Sequence, residues 1–206
     1  MNPTHRALLL IVLGLSVVAC APTHKILTLR ADNRLLGGGE AVAKIEAPGD
    51  WYQATRKADR ADLAAPDNFS SVSFSVAAVL ADRSRCPEFA RRAATDATSA
   101  ASNAGAKPEF ASAPEAPEVV DWKVTIQASP PGPFNRFVQG RAMCREGALA
   151  IVTCSTGVER KSSTGADCAK VLESLNIEGL NAAPAAAPAP AVAPAPAPAS
   201  TDAPAK

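Results

Sequence analysis

From residue 182 to residue 206 the chain is almost pure alanine and proline. A stretch of that composition has no side chains able to build a core, so residues 181–206 read as a disordered tail. In extended polyproline geometry, at about 3.1 Å per residue, such a tail reaches several tens of ångströms. At the other end, Ala7–Val18 (ALLLIVLGLSVV) is an apolar run of 12 residues behind Arg6. A helix that spans a bilayer needs about 20 apolar residues, so this run has the length of an export signal's central region instead. Residues 26–180 are left to fold. That is one ordinary domain, and a chain of this size buries roughly two thirds of the surface it exposes when unfolded.

Directly after the apolar run, Val17-Val18-Ala19-Cys20 resembles the bacterial lipobox, in which a cysteine follows a small residue and a branched apolar pair. The resemblance implies that residues 1–19 are a lipoprotein signal peptide cut before Cys20. It also implies that Cys20 carries diacylglycerol and an acylated N-terminus, a membrane anchor of several chains where a single chain binds only marginally. The alternative is an ordinary secretory cut near Ala21. Ala21 stands where an inner-membrane retention signal would usually show Asp, so resemblance to enterobacterial lipoproteins implies the outer membrane, facing the periplasm. Residues 20–25 then form a short lipid-proximal linker. In that setting the tail could contact peptidoglycan or an envelope protein, or simply keep the chain soluble. It has no PxxP motif flanked by basic residues that would mark it as a ligand.

Lys+Arg total 21 against Asp+Glu 20, with no basic block to track a row of phosphates. Nucleic acid is therefore not an expected partner. Beyond Cys20 there are four cysteines, Cys86, Cys144, Cys154 and Cys168, an even number in an oxidising compartment, which points to two disulfides. Catalytic residues are not expected. The mature chain has one histidine, His24, in the linker, away from any scaffold that could hold an imidazole for nucleophilic chemistry. No Cys-x-x-Cys occurs and the cysteines lack the tight pairs of zinc sites, so neither a redox site nor a metal is expected. Gly37-Gly38-Gly39 lacks the Gly-Lys-Ser/Thr of a phosphate loop, and no cofactor is expected. Glu109, Glu115, Glu118 and Asp121 cluster around prolines and read as a solvated loop.

Strand periodicity appears where Val72, Phe74 and Val76 alternate with serines, and again from Trp122 to Ala128. Phe137–Cys144 and Leu149–Cys154 read as strands joined by a turn at Arg145-Glu146-Gly147. Pro87 opens a helix with Phe89, Ala93 and Ala97 on one side, ending near Asn103. A closing helix from Thr164 places Cys168, Val171, Leu172 and Leu175 on one stripe. The expected fold class is α+β, a mainly antiparallel sheet with at least two helices packed on it. Pro48-Gly49-Asp50-Trp51 read as strand, a long mid-chain helix, a hairpin and a closing helix ending in Ser174-Leu175-Asn176-Ile177 together resemble the PsbP-like α/β/α sandwich. That resemblance implies protein binding and no catalysis.

A two-residue turn at Glu146-Gly147 would put Cys144 opposite Leu149 and Cys154 opposite Gln139, roughly 16 Å apart along the strands. Bridged Cα atoms sit within about 7 Å, so that pair is excluded. Two pairings remain. Cys154 ends a strand and Cys168 follows on the inward stripe of the closing helix, so the expected one has Cys154–Cys168 stapling that helix to the sheet and Cys86–Cys144 holding the first helix. The other is Cys86–Cys154 with Cys144–Cys168. Among the few aromatics, Trp122 suits the core. Phe134, after the stiff Pro130-Pro131-Gly132-Pro133 run, is the candidate partner contact. The expectation for function is a non-catalytic envelope lipoprotein that docks a protein partner or assists assembly of an envelope complex. The alternative is a small-ligand or lipid-binding lipoprotein, which would need an apolar pocket between sheet and helix.

Overall fold

The computed structural model describes residues 24–32, 39–127, 135–145, 147–160 and 164–181. The expected export signal, Cys20, Phe134 and the Ala/Pro tract lie outside them. In chain order the elements are β1 (His24–Asp32), β2 (Glu40–Pro48), β3 (Tyr52–Arg56), β4 (Arg60–Ala64), β5 (Ser71–Ala78) and α1 (Cys86–Asn103). There follow β6 (Glu109–Ala111), β7 (Val119–Ile126), β8 (Arg136–Arg145), β9 (Ala148–Gly157), α2 (Thr164–Glu173) and β10 (Asn176–Asn181). They form an α+β domain with two antiparallel sheets. The short sheet has the order β1-β2-β10, and the long one β3-β4-β5-β9-β8-β7-β6.

Alternation along the central strands sorts the long sheet into two faces. On β5, Val72, Phe74 and Val76 point to one side, joined on β9 by Ala148, Ala150, Val152 and Cys154. That side packs against Leu27, Leu29, Ala43 and Ile45 of the short sheet and against Cys168, Val171 and Leu172 of α2. On the other side, Val120, Trp122, Ala142 and Cys144 meet Cys86, Ala90 and Ala94 of α1. The domain is thus layered as α1, long sheet, then short sheet with α2 beside it. β3 is an edge strand with every residue exposed, and it carries a register shift between Gln53 and Thr55. Bulges and polar side chains of this kind discourage edge-to-edge association.

The hairpin of β8 and β9 turns in two residues, with Arg145 opposite Ala148 and Gly147 at φ 78°. That left-handed backbone favours glycine. Cys144 accordingly faces Leu149, Cys154 faces Gln139, and the two cysteines project from opposite faces. Two disulfides are formed. Cys86–Cys144, with Cα atoms 5.1 Å apart, ties the first residue of α1 to one face, and Cys154–Cys168, at 5.8 Å, ties α2 to the other.

Several sequence expectations need correction. The buried stripe of α1 runs through Ala90, Ala93, Ala94, Thr98 and Ala101, while Ala97 is exposed and Phe89 half-buried. Small alanines let the helix approach the sheet closely, with Phe89 packed at the margin of the same cluster and Ala97 turned to solvent. Of Pro48-Gly49-Asp50-Trp51 only Pro48 is strand, the last residue of β2; Gly49 and Asp50 form a turn closed by the Trp51 amide donating to the Pro48 carbonyl at 3.2 Å. The closing helix stops at Glu173, and Ile177 belongs to β10, paired with Ala43. His24, read as linker, is the first residue of β1 and lies opposite Pro48.

Replacing Cys154 and Cys168 together by alanine should lower the unfolding free energy by about 3 kcal/mol, the chain-entropy value for so short a loop. Urea titration measures this. Non-reducing peptide mapping of the unaltered protein should return the Cys86–Cys144 and Cys154–Cys168 peptides, and a Cys144–Cys168 peptide would refute the pairing.

Candidate functional site

β7 and β8 place one pair of opposite charges directly across the sheet, Asp121 opposite Arg141, and β6 and β7 place a second, Glu109 opposite Lys123. Side chains at such positions stand about 5 Å apart at Cβ, close enough to pair. The Arg141 guanidinium clasps Asp121 with both prongs, Nε donating to Oδ1 at 2.6 Å and Nη2 to Oδ2 at 2.9 Å. Its third donor, Nη1, reaches the Leu172 carbonyl at 3.1 Å in the last turn of α2, where a cation is favoured. The carboxylate hydrogen bonds raise the Arg141 pKa above its ordinary value, more than offsetting burial. Arg141 is therefore a permanent cation. Lys123 Nζ lies 3.0 Å from Glu109 Oε2, with both side chains largely exposed.

All four residues lie on the α2 side of the long sheet, but α2 covers only part of that side. Gln139 Nε2 donates to the Gly165 carbonyl at 3.2 Å in the first turn of α2. Three sheet residues therefore hold the helix along its length: Gln139 at its start, Cys154 near its middle and Arg141 at its end. Beyond this helix wall the strands lie open as a groove of about 390 Å³, floored by Asp121, Lys123 and Arg141 and walled by Ala169, Leu172 and Glu173. On the reverse face Gly140 stands opposite Trp122, and a methyl group added there would overlap the indole ring. The indole ring thus occupies the space over Gly140 behind the floor.

The acidic cluster expected as a solvated loop is thus split. Glu109 and Asp121 sit on paired strands with basic partners, whereas Glu115 and Glu118 lie between β6 and β7. Arg141 was missed from sequence, although Gln139 and Arg141 alternate with Val138, Gly140 and Ala142, which marks one polar face of β8. His24 borders a separate hollow of about 180 Å³ with Glu46, Asp167 and Lys170. Among the described residues no group of three or more His, Cys, Asp or Glu is placed to hold a metal ion. The expected lipidation residue, Cys20, and the expected contact, Phe134, lie outside the described residues.

Asp121→Ala would leave the partly buried Arg141 without its carboxylate. We expect a loss of about 1 kcal/mol in urea unfolding, small because the Asp121 side chain is 43% exposed. An unchanged midpoint would mean that the pair does not hold the groove floor.

Comparison with known proteins finds no matching family model and no curated relative. Among solved structures, the chain is similar to the Ran-binding protein Mog1p of Saccharomyces cerevisiae, with 9% identity over 76% of this chain and 96% of that one, at a TM-score of 0.45. It is similar to the cyanobacterial PsbP (CyanoP) of Synechocystis sp. PCC 6803, with 10% identity over 78% and 95%, at 0.45. A third similarity is to LpqN of Mycobacterium tuberculosis, a protein involved in cell envelope biogenesis, with 13% identity over 74% and 91%, at 0.43.

Proposed function

We propose that this chain is a non-catalytic lipoprotein of the bacterial envelope, anchored through Cys20 at the outer membrane and facing the periplasm, and that its domain docks a protein partner along the α2 groove. The observation that supports docking is the groove's fixed pattern of charge. Lys123 and Glu109 stand exposed on paired strands, Arg141 is locked beneath them, and Glu173 faces the floor from the helix. Charges held on a rigid scaffold select a partner by complementarity and speed its capture. The same pairing argues against acid or base catalysis, since Asp121 and Glu109 are each engaged with a cation.

One observation favours a small ligand as the occupant: a volume of about 390 Å³ is within the range of small-molecule sites. Against it, the groove is floored by ion pairs, and the apolar side chains between sheet and helix are packed into the core.

A photo-crosslinking residue in place of Lys123 or Glu173 tests the docking surface in intact cells. A discrete adduct with one envelope protein is expected from these positions and not from Arg56 on the far edge strand. Equal yields from all three would sink the proposal. The anchor is tested separately by mass spectrometry of the membrane fraction: an acylated Cys20 is expected, and its loss in Cys20→Ser should release the chain or leave it unprocessed.

A further inference from the structure

The strand register gives the domain two poles. His24 pairs with Pro48, while Asp32 and Asn181 both pair with Glu40. β1 and β10 therefore run parallel, and the chain enters at one end of the short sheet and leaves at the other. The ends of β2 are eight residues apart, or about 26 Å. The long sheet shares this polarity. From Pro48 the turn at Trp51 leads straight to Tyr52, which pairs with Ala64, then Ala64 with Ser71 and Ser71 with Ser155. At the exit end, the Arg30 amide donates to the Ala58 carbonyl at 2.8 Å.

Large apolar side chains are exposed at five places among the described residues: Ile26 (67%), Tyr52 (50%), Phe69 (45%), Val158 (36%) and Leu80 (67%). The first four lie at the entry pole, and Leu80 lies at the opposite end, next to Val79, whose amide donates to the Gly147 carbonyl. Single exposed apolar residues are ordinary, but their gathering at one pole is not. The loop that presents Phe69 is also braced. Asp67 Oδ1 accepts the Phe69 and Ser70 amides at 2.9 Å, and Asn68 adopts a left-handed φ of 56°. Asn68 Oδ1 accepts the Tyr52 hydroxyl at 3.0 Å, which joins the two aromatic residues into one unit.

We propose that this entry pole is seated on the phospholipid interface, with Ile26 and Phe69 dipping below the headgroups and Tyr52 at their level. Tyrosine suits that depth because its ring is apolar and its hydroxyl polar. The inference rests on the anchor reading at Cys20. Cys20 precedes His24 by four residues, a tether of at most about 14 Å, whereas a small protein domain is about 30 Å across. A second protein does not fit between this pole and the bilayer. Glu46, Asp50, Asp67 and Asp167 outweigh Lys25 and Lys170 at this end, so no basic patch draws it to anionic headgroups and the seating rests on apolar contact. Seated this way, the domain directs the exit at Asn181 away from the membrane and sets the groove to the side.

Nitroxide labels on the acylated protein in phosphatidylethanolamine/phosphatidylglycerol vesicles test this, using Ile26→Cys, Tyr52→Cys and Phe69→Cys with Leu80→Cys and Asp32→Cys as controls. Native folding of each variant is checked by the disulfide map. At the three rim positions the ratio of oxygen to nickel-chelate collisions should exceed that of the controls about threefold or more, because oxygen enters the acyl region and the chelate does not. Equal ratios at all five positions on an acylated protein would overturn the seating and leave the anchor intact. Immobilised labels without the oxygen signature would mean that a protein covers the rim, which likewise overturns the seating while the anchor stands. An unacylated N-terminus, read by mass spectrometry of the same sample, would overturn the anchor and the seating together.

Discussion

Arg145 lies opposite Ala148, and because side chains alternate along a strand, this one pairing assigns every residue of β8 and β9 to a face. It sends Cys144 toward α1 and Cys154 toward α2, so each helix is fixed to its own side of the sheet by a covalent bond. It also places Gln139 and Arg141 on the α2 side and Gly140 beneath Trp122 on the other. A shift of one residue would exchange the faces. Both disulfides, both core clusters and the groove floor would then be lost together. The two-residue turn, with Gly147 in the left-handed region, guards against that slip.

The groove exists because α2 is held and yet does not extend across the sheet. At ten residues the helix is short for independent stability, so its position depends on tertiary contacts. Gln139, Cys154 and Arg141 supply them from a single face of neighbouring strands. The strands beyond the helix keep their polar side chains in solvent, and cross-strand pairing arranges those charges in a fixed order. The groove arises here as the uncovered remainder of a sheet whose other parts are packed.

The short sheet has a different role. Because β2 runs between β1 and β10 and opposes both, the two ends of the domain point to opposite poles. The apolar rim of Ile26, Tyr52 and Phe69 comes from three separate segments, β1, the start of β3 and the loop before β5. Only the stacking of two sheets brings them to one end.

Local patterns in the sequence determined what depends on near neighbours. Alternation from Ser71 to Val76 gave β5, the Thr164–Leu172 stripe gave α2, and the Arg145-Glu146-Gly147 turn gave a register that separates Cys144 from Cys154. Apolar length and the residues around Cys20 gave the expectation of an anchor. Tertiary structure decided the rest. β3, β4 and β6 are short edge or near-edge strands with little apolar alternation, and β10 follows directly on a helix, so none carried a strong periodic signal. The α1 stripe centres on alanines, with Phe89 at its margin and Ala97 outside it, because close packing on a sheet rewards small side chains, a preference that depends on the partner surface. Arg141 and Asp121 are 20 residues apart, and their pairing follows from strand register, which no local spacing encodes.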